Sequence, residues 1–313
     1  MGYVSAAPNC YRAKGSCCGV IRIKRIMVSA PTAHSPTTLR EVLSLLSERG
    51  RAIKIIAGGT DLMVLMNAHI LEAAEFLDIW SVDELRGIND QGDALRIGAL
   101  TTYTQLIKSE LIQQYAPSLV AASRTIGAIQ IQNRGTIGGN IVNASPAGDS
   151  LPVLAAYDAE VEIGSARGIR RVPFNQFYTG YRRSVLEPDE LVLAVRIPKL
   201  QKGEVDFYWK VGTRRAQAIS KTVMAAKARI DDQKINSISI AVGSVAPTVV
   251  RAPQTESMLT GSVITNGLMN DARQTIAREI TPITDLRSTE HYRRTVTGNV
   301  LVKFLRQLVK AND

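Results

Sequence analysis

The sequence predicts a mixed α and β protein in two parts, and three observations carry that expectation. Helical stripes and short β-branched runs interleave from Ser35 to Pro198. The polar break Lys199–Glu204 ends that stretch, and beyond it two apolar runs flank Asp231-Asp232-Gln233-Lys234 before two closing helical patterns. Two glycine pairs, in Ala57-Gly58-Gly59-Thr60-Asp61 and Thr136-Ile137-Gly138-Gly139-Asn140, stand beside apolar segments of the first part.

Taken in order, Ser35-Pro36-Thr37-Thr38-Leu39-Arg40-Glu41 reads as a helix start, and Leu39, Val42, Leu43, Leu45 and Leu46 give a helical stripe ending at Gly50. A strand over Ala52–Ile56 leads into the first glycine turn and the apolar segment Leu62–Met66. Asp78-Ile79 and Leu95-Arg96-Ile97-Gly98 read as short strands around the turn-rich Asn89–Asp93. Thr101–Ser109 and Ala116–Ile126 read as helices, the second leading to the second glycine motif. Leu151–Asp158 is expected as a core-facing helix or turn, Glu160–Ile163 as a strand, Gly164–Gly168 as a turn before Arg170–Pro173, and Leu191–Pro198 as a strand closed by proline. Past the polar break, Val223–Ile230 and Ile235–Val242 form a hairpin pattern, followed by helical patterns near Met269–Glu279 and Tyr292–Val309.

Composition narrows the function. The chain has 313 residues, 45% hydrophobic and 21% charged, which is enough apolar material for one large or two to three modest cores. Its net charge of +10 is scattered, since pairs such as Arg170-Arg171 and Arg293-Arg294 never build into a run. Aromatics make up 5%, too few for base-stacking platforms, so the charge suits an acidic partner protein or a phosphorylated cofactor better than nucleic acid. No window approaches the ~18–20 apolar residues that cross a bilayer. Residues 1–26 lack an apolar signal-peptide core and hold all three cysteines, Cys10, Cys17 and Cys18, at no metal-knuckle or cluster spacing. They are expected to be a disordered extension ahead of Met27, the natural beginning, in a reduced, cytoplasmic compartment. His34, His69 and His291 are isolated from one another, which points away from a metal site or a triad.

Glycine pairs of this kind let backbone N–H groups approach a pyrophosphate where a Cβ would block them or forbid a positive φ. Both pairs are expected to end apolar strands, with a dinucleotide lying across the chain between them. No third glycine follows at Rossmann spacing, which disfavours a nicotinamide-type site.

Thr136–Asn140 followed by Ala144-Ser145-Pro146-Ala147-Gly148-Asp149-Ser150-Leu151-Pro152, then Gly180-Tyr181-Arg182-Arg183, Pro188-Asp189-Glu190-Leu191, Lys210 with Arg214-Arg215, and Val245-Ala246-Pro247-Thr248 with Arg251-Ala252 together form a specific combination. It closely resembles the flavin subunit of the molybdenum hydroxylases, which include the FAD domain of xanthine dehydrogenase and the medium subunit of aerobic carbon monoxide dehydrogenase. The resemblance extends over Met27–Asn312. It implies an α+β fold: a two-lobed FAD-binding domain of the PCMH or vanillyl-alcohol-oxidase type over residues 27–201, then a smaller α+β flavoprotein C-terminal domain over residues 205–311.

The resemblance also implies site residues. Ile56, Ala57, Gly58, Gly59, Thr60, Asp61 and Leu62, with Thr136, Ile137, Gly138, Gly139 and Asn140, match the loops that hold the FAD pyrophosphate and adjacent ribitol through backbone amides. Asp149 matches an acidic contact to a cofactor hydroxyl, or it is a helix N-cap before Ser150. Val192 and Lys210 match positions near the isoalloxazine, where a cation would favour the reduced ring; otherwise they are plain strand core and a surface lysine. Ile126 stands where some relatives carry an aromatic, and the cysteine-bearing insertion of members with an extra iron–sulfur cluster is missing.

The implied role is electron transfer. Substrate would be oxidised at a molybdenum cofactor on a large molybdopterin-binding subunit, and electrons would pass through two 2Fe–2S clusters on a small subunit to FAD here, then to NAD, a quinone or dioxygen. The expected assembly is a dimer of heterotrimers, with no catalytic residue and no metal ligand assigned to this chain. Two other classes compete: a self-contained flavin oxidase of the same fold superfamily, which needs a base near the ring, and a binding protein whose FAD cleft stays empty.

Overall fold

A computed structural model describes residues 31–312, apart from residues 72, 215, 216, 232 and 233. The expected extension over residues 1–26, its cysteines and Arg215 lie outside the described residues. The first lobe begins with β1 (Thr32–His34), α1 (Leu39–Arg49), β2 (Ile53–Ile56), α2 (Leu62–Asn67) and β3 (Glu75–Asp78), whose strands pair in parallel in the order β1-β3-β2. Thr38 starts α1 in a reciprocal capping box with Glu41, and Gly50 ends it at φ +51°. Val42 and Leu46 on its buried face pack with Leu77, Leu85 and Leu193.

The second lobe is built on β4 (Ile88–Asp90) and β5 (Ala94–Gly98), then a run of helices: α3 (Tyr103–Lys108), α4 (Glu110–Tyr115), α5 (Pro117–Arg124), α6 (Ile129–Arg134), α7 (Ile137–Asn143) and α8 (Leu151–Ala156). The chain returns through β6 (Glu160–Ser165), β7 (Gly168–Pro173), the small hairpin β8 (Tyr178–Gly180) and β9 (Arg183–Ser184), and β10 (Leu191–Pro198). The five-stranded sheet runs β4-β5-β10-β6-β7 and is antiparallel throughout. Central β10 is an almost unbroken apolar run because both its faces are covered: Val192, Val195 and Ile197 enter the core of the helical lobe, while Leu191 and Leu193 enter that of the first lobe.

Beyond Lys199–Glu204 the chain forms β11 (Glu204–Val211), β12 (Thr222–Asp231), β13 (Lys234–Gly243) and β14 (Val250–Arg251), paired antiparallel in that order, then α9 (Pro253–Leu259), α10 (Asn266–Glu279) and α11 (Glu290–Asn312). The alternation of β12 and β13 sorts their side chains to two cores. Met224, Ala226, Ile240 and Val242 pack with Ile276, Leu301 and Phe304 of the helices, while Ala225 and Ala241 face the core of the preceding lobe. Asp206 of β11 reinforces that junction, accepting from Tyr157 Oη at 2.8 Å and from the Ser118 amide at 2.7 Å.

Two expectations need correction. The second glycine pair does not end a strand: α6 precedes it and it lies in the first turn of α7, where Thr136 is the N-cap and accepts from the Gly139 amide. Positive φ is likewise confined to one of the four glycines, Gly59 at +73°. Short apolar runs do not distinguish strand from helix by periodicity, and a capping threonine settled the second site as helical.

Candidate functional site

A cleft of about 400 Å³ opens where the lobes meet. One wall is the loop Ala57–Leu62 with Leu65. The opposite wall is Gly135, Thr136, Gly138, Gly139, Asn140, Val142 and Asn143, and Ile79, Leu100, Leu191 and Val192 line it from the sheets and their connections. Two loops far apart in sequence are thus brought face to face, held by backbone packed directly on backbone. A Cβ at Gly58 would lie 1.8 Å from the Arg134 carbonyl oxygen, and one at Gly138 would lie 2.6 Å from Ala99 Cβ and 2.8 Å from its carbonyl oxygen. Trp80 braces the same junction, its ring lying 3.9 Å from the Arg134 guanidinium and 4.6 Å from that of Arg86.

The two walls differ in their hydrogen bonds. The amides of Gly58, Gly59, Thr60, Asp61 and Leu62 find no acceptor among the described residues. Across the cleft the amides from Ile137 to Asn140 are engaged: Ile137 donates to Thr101, Gly138 to Ala99, and Asn140 to Thr136 through backbone carbonyls, and Gly139 donates to Thr136 Oγ1 at 3.1 Å. The polar side chains on that wall include Asn143 and Asn140, and Asn140 Oδ1 accepts from Ser150 Oγ at 2.8 Å, which leaves its Nδ2 to donate.

Two buried oxygens near this wall lack partners. Tyr103 borders the cleft, and its hydroxyl is buried with no hydrogen-bond partner. Burial, reinforced by the Asp149 charge, holds its proton far above the usual phenol range. Asp149 Oδ1 is equally orphaned, while Oδ2 meets Lys210 Nζ at 2.6 Å. Burial outweighs the Lys210 ammonium and pushes the Asp149 carboxyl up to about 6.

Of the residues singled out in the sequence, Val192 lines the cleft, whereas Ile56, Ile137, Asp149 and Lys210 do not. Ile137 is core, and Asp149 does not cap α8, where Ser150 is the N-cap. Lys210 is no solvated lysine: it sits on β11 bound to Asp149 and to the Thr125 carbonyl at 3.0 Å. Sequence reasoning missed Tyr103, because nothing in Thr101–Ser109 marks it apart from a core aromatic. Tyr181, Ala246 and Pro247, from motifs distant in sequence, come together with Ser220, Ser244 and Arg293 around a second cavity of about 380 Å³.

The cleft suits a phosphorylated dinucleotide. Vacant amides can receive phosphate oxygens, glycines let the backbone come close, and apolar floor residues suit a flat ring. Residues 27–200 match the model of the FAD binding domain in molybdopterin dehydrogenase, and residues 207–308 match the CO dehydrogenase flavoprotein C-terminal domain. The chain is 33% identical over 280 residues to the xanthine dehydrogenase FAD-binding subunit of Escherichia coli O157:H7, covering 89% of this chain and 96% of that one. It is 30% identical to the carbon monoxide dehydrogenase medium chain of Hydrogenophaga pseudoflava over 87% of this chain and 94% of the other. A solved carbon monoxide dehydrogenase from H. pseudoflava, lacking the Mo-pyranopterin moiety of its molybdenum cofactor, superposes with a TM-score of 0.85 at 29% identity, over 88% of this chain and 96% of that one. The chain belongs to the FAD-binding subunits of the molybdopterin dehydrogenases, an oxidoreductase family of the xanthine and carbon monoxide dehydrogenase type.

Proposed function

We propose that this chain is the electron-transfer subunit of a cytoplasmic molybdenum hydroxylase, working with a large molybdopterin-binding subunit and a small iron–sulfur subunit as a dimer of heterotrimers. The family and the row of vacant amides from Gly58 to Leu62 carry this reading. Bound FAD would supply the redox chemistry, linking one-electron donors on the partner subunits to an acceptor such as NAD, a quinone or dioxygen. The protein's part is to hold and orient it. The first-loop amides would donate to the pyrophosphate, Asn140 Nδ2 would donate from the opposite wall, and Gly138 and Gly139 would keep that wall low. Val192 gives apolar contact. Lys210 acts at one remove: its charge is matched by Asp149, so it fixes that carboxylate and the wall behind the cleft rather than standing as a free cation beside the ring.

A self-contained oxidase is the weaker reading. The titratable side chains lining the cleft among the described residues are Asp61 and Tyr103, and burial keeps Tyr103 protonated. Loading the full chain with FAD and offering it reduced organic substrates without oxygen discriminates. The flavin absorbance should persist with the chain alone and bleach once the partner subunits are added; bleaching by the chain alone would reverse the assignment.

A further inference from the structure

A second surface, far from the cleft in its lining, carries a charge that the fold leaves uncompensated. The groove between α10 and α11 has a volume of about 620 Å³ and is lined by Arg273, Lys303, Arg306 and Lys310, three amide side chains and Val302, with no carboxylate. Among the described residues no ion pair engages Arg273, Arg306 or Lys310, and the Lys303 ammonium rests 4.1 Å over the Trp209 ring. The helices are seated closely enough to pool these cations. A Cβ at Gly298 of α11 would meet Arg273 Cγ of α10 at 2.5 Å and its carbonyl oxygen at 2.9 Å.

Like charges gathered without counter-charges repel one another, so the groove weakens the isolated domain and gains from an anionic occupant. Its shape and chemistry narrow the class. Lys303, Arg306 and Lys310 follow one another at three- and four-residue spacing, a row about 10 Å long on one face of α11. A row suits an extended polyanion better than a single focal anion. No aromatic ring lines the groove, and Lys303 covers the face of Trp209, so stacked bases have no platform. Guanidinium forks and amides match carboxylates.

We propose that this groove docks a carboxylate-rich segment of a partner protein. The segment lies along α11 with its side chains on Arg273, Arg306 and Lys310, and it leaves the FAD cleft open because the two sites share no lining residue. The test uses the full chain and a fluorescent oligoglutamate peptide, followed by anisotropy at low ionic strength. R306E/K310E should weaken binding by at least about tenfold, while R40E/K202E, an equal charge change at exposed positions elsewhere, should leave it within about twofold. R306Q/K310Q serves if the reversal impairs folding by circular dichroism, and should also weaken binding. Equal loss in the two reversals would reduce the effect to net charge and overturn the proposal. So would absence of peptide binding, or displacement of the peptide by a lower concentration of a single-stranded oligonucleotide of equal length.

Discussion

At the first glycine pair the amides of Gly58 to Leu62 lack acceptors within the described protein, whereas at the second every amide from Ile137 to Asn140 is already bonded. The glycines themselves answer to different demands. Gly58 and Gly138 are held by contact, one against the Arg134 carbonyl and one against Ala99; Gly59 is held by its positive φ; Gly139 has helical backbone and is exposed on the cleft wall. One wall therefore keeps backbone donors to offer, while the amides of the other from Ile137 to Asn140 are already spent. The support behind them differs too: the first wall rests on apolar Ile55 and Ile79, the second on the buried Asp149–Lys210 pair and Tyr103.

The contrast can be broken most forcefully at the contacts. Gly58→Ala should cost about 3–5 kcal/mol of stability, because the clash is with backbone that cannot rotate away, and Gly138→Ala somewhat less. Urea unfolding measures both, and a neutral Gly58→Ala would mean the two loops do not touch. A smaller effect should appear with pH. The Asp149 carboxyl is raised from 3.8 to about 6, so the native state keeps a proton that the unfolded chain has released. Its protonated form stabilises fully below about 3.8 and that contribution is lost as pH rises through about 6. The stability of the native protein minus that of Asp149→Asn should accordingly fall by on the order of 3 kcal/mol across this window and then level off. A difference that stays constant with pH would show that Asp149 titrates normally. The smallest stability effect belongs to Gly139→Ala, within about 1 kcal/mol: the added Cβ would crowd one side-chain atom, Thr136 Oγ1 at 2.9 Å, and the helix propensity of alanine offsets the disturbed cap. FAD affinity should nonetheless fall about tenfold, because the methyl group displaces Thr136 Oγ1 and changes the wall that both residues form. Fluorescence titration with FAD checks it, and unchanged affinity would remove the second wall from the site.

Much of this arrangement could be read in the sequence. Leu191–Pro198, the hairpin of β12 and β13, and α1 were all legible, because each has a strong apolar pattern and clear ends. The glycine walls were legible as a site but not as structures. Ile129-Gln130-Ile131-Gln132 alternates like a strand, yet it folds as α6 with Ile129 and Ile131 exposed beside the cleft, a tertiary choice that local periodicity does not encode. The eight-residue strand β11 gave no clear signal either. Its burial is intermediate along most of its length, so apolar and polar side chains mix. Lys210 stood out in the sequence as a candidate beside the ring, but its partner could not be read there: the ion pair to Asp149 spans sixty-one positions, and no spacing rule reaches that far.

The contact of Gly58 with Arg134 also sets a schedule for biogenesis. A chain emerging from the ribosome makes the vacant amides early, but the wall opposite them comes much later and the floor residues Leu191 and Val192 later still. Closing such a long loop is slow compared with forming a local helix or turn. The complete binding cleft accordingly exists only after β10 has inserted between β5 and β6, the central step in assembling its sheet. A chain truncated before β10 would present the backbone donors without the floor that Leu191 and Val192 complete.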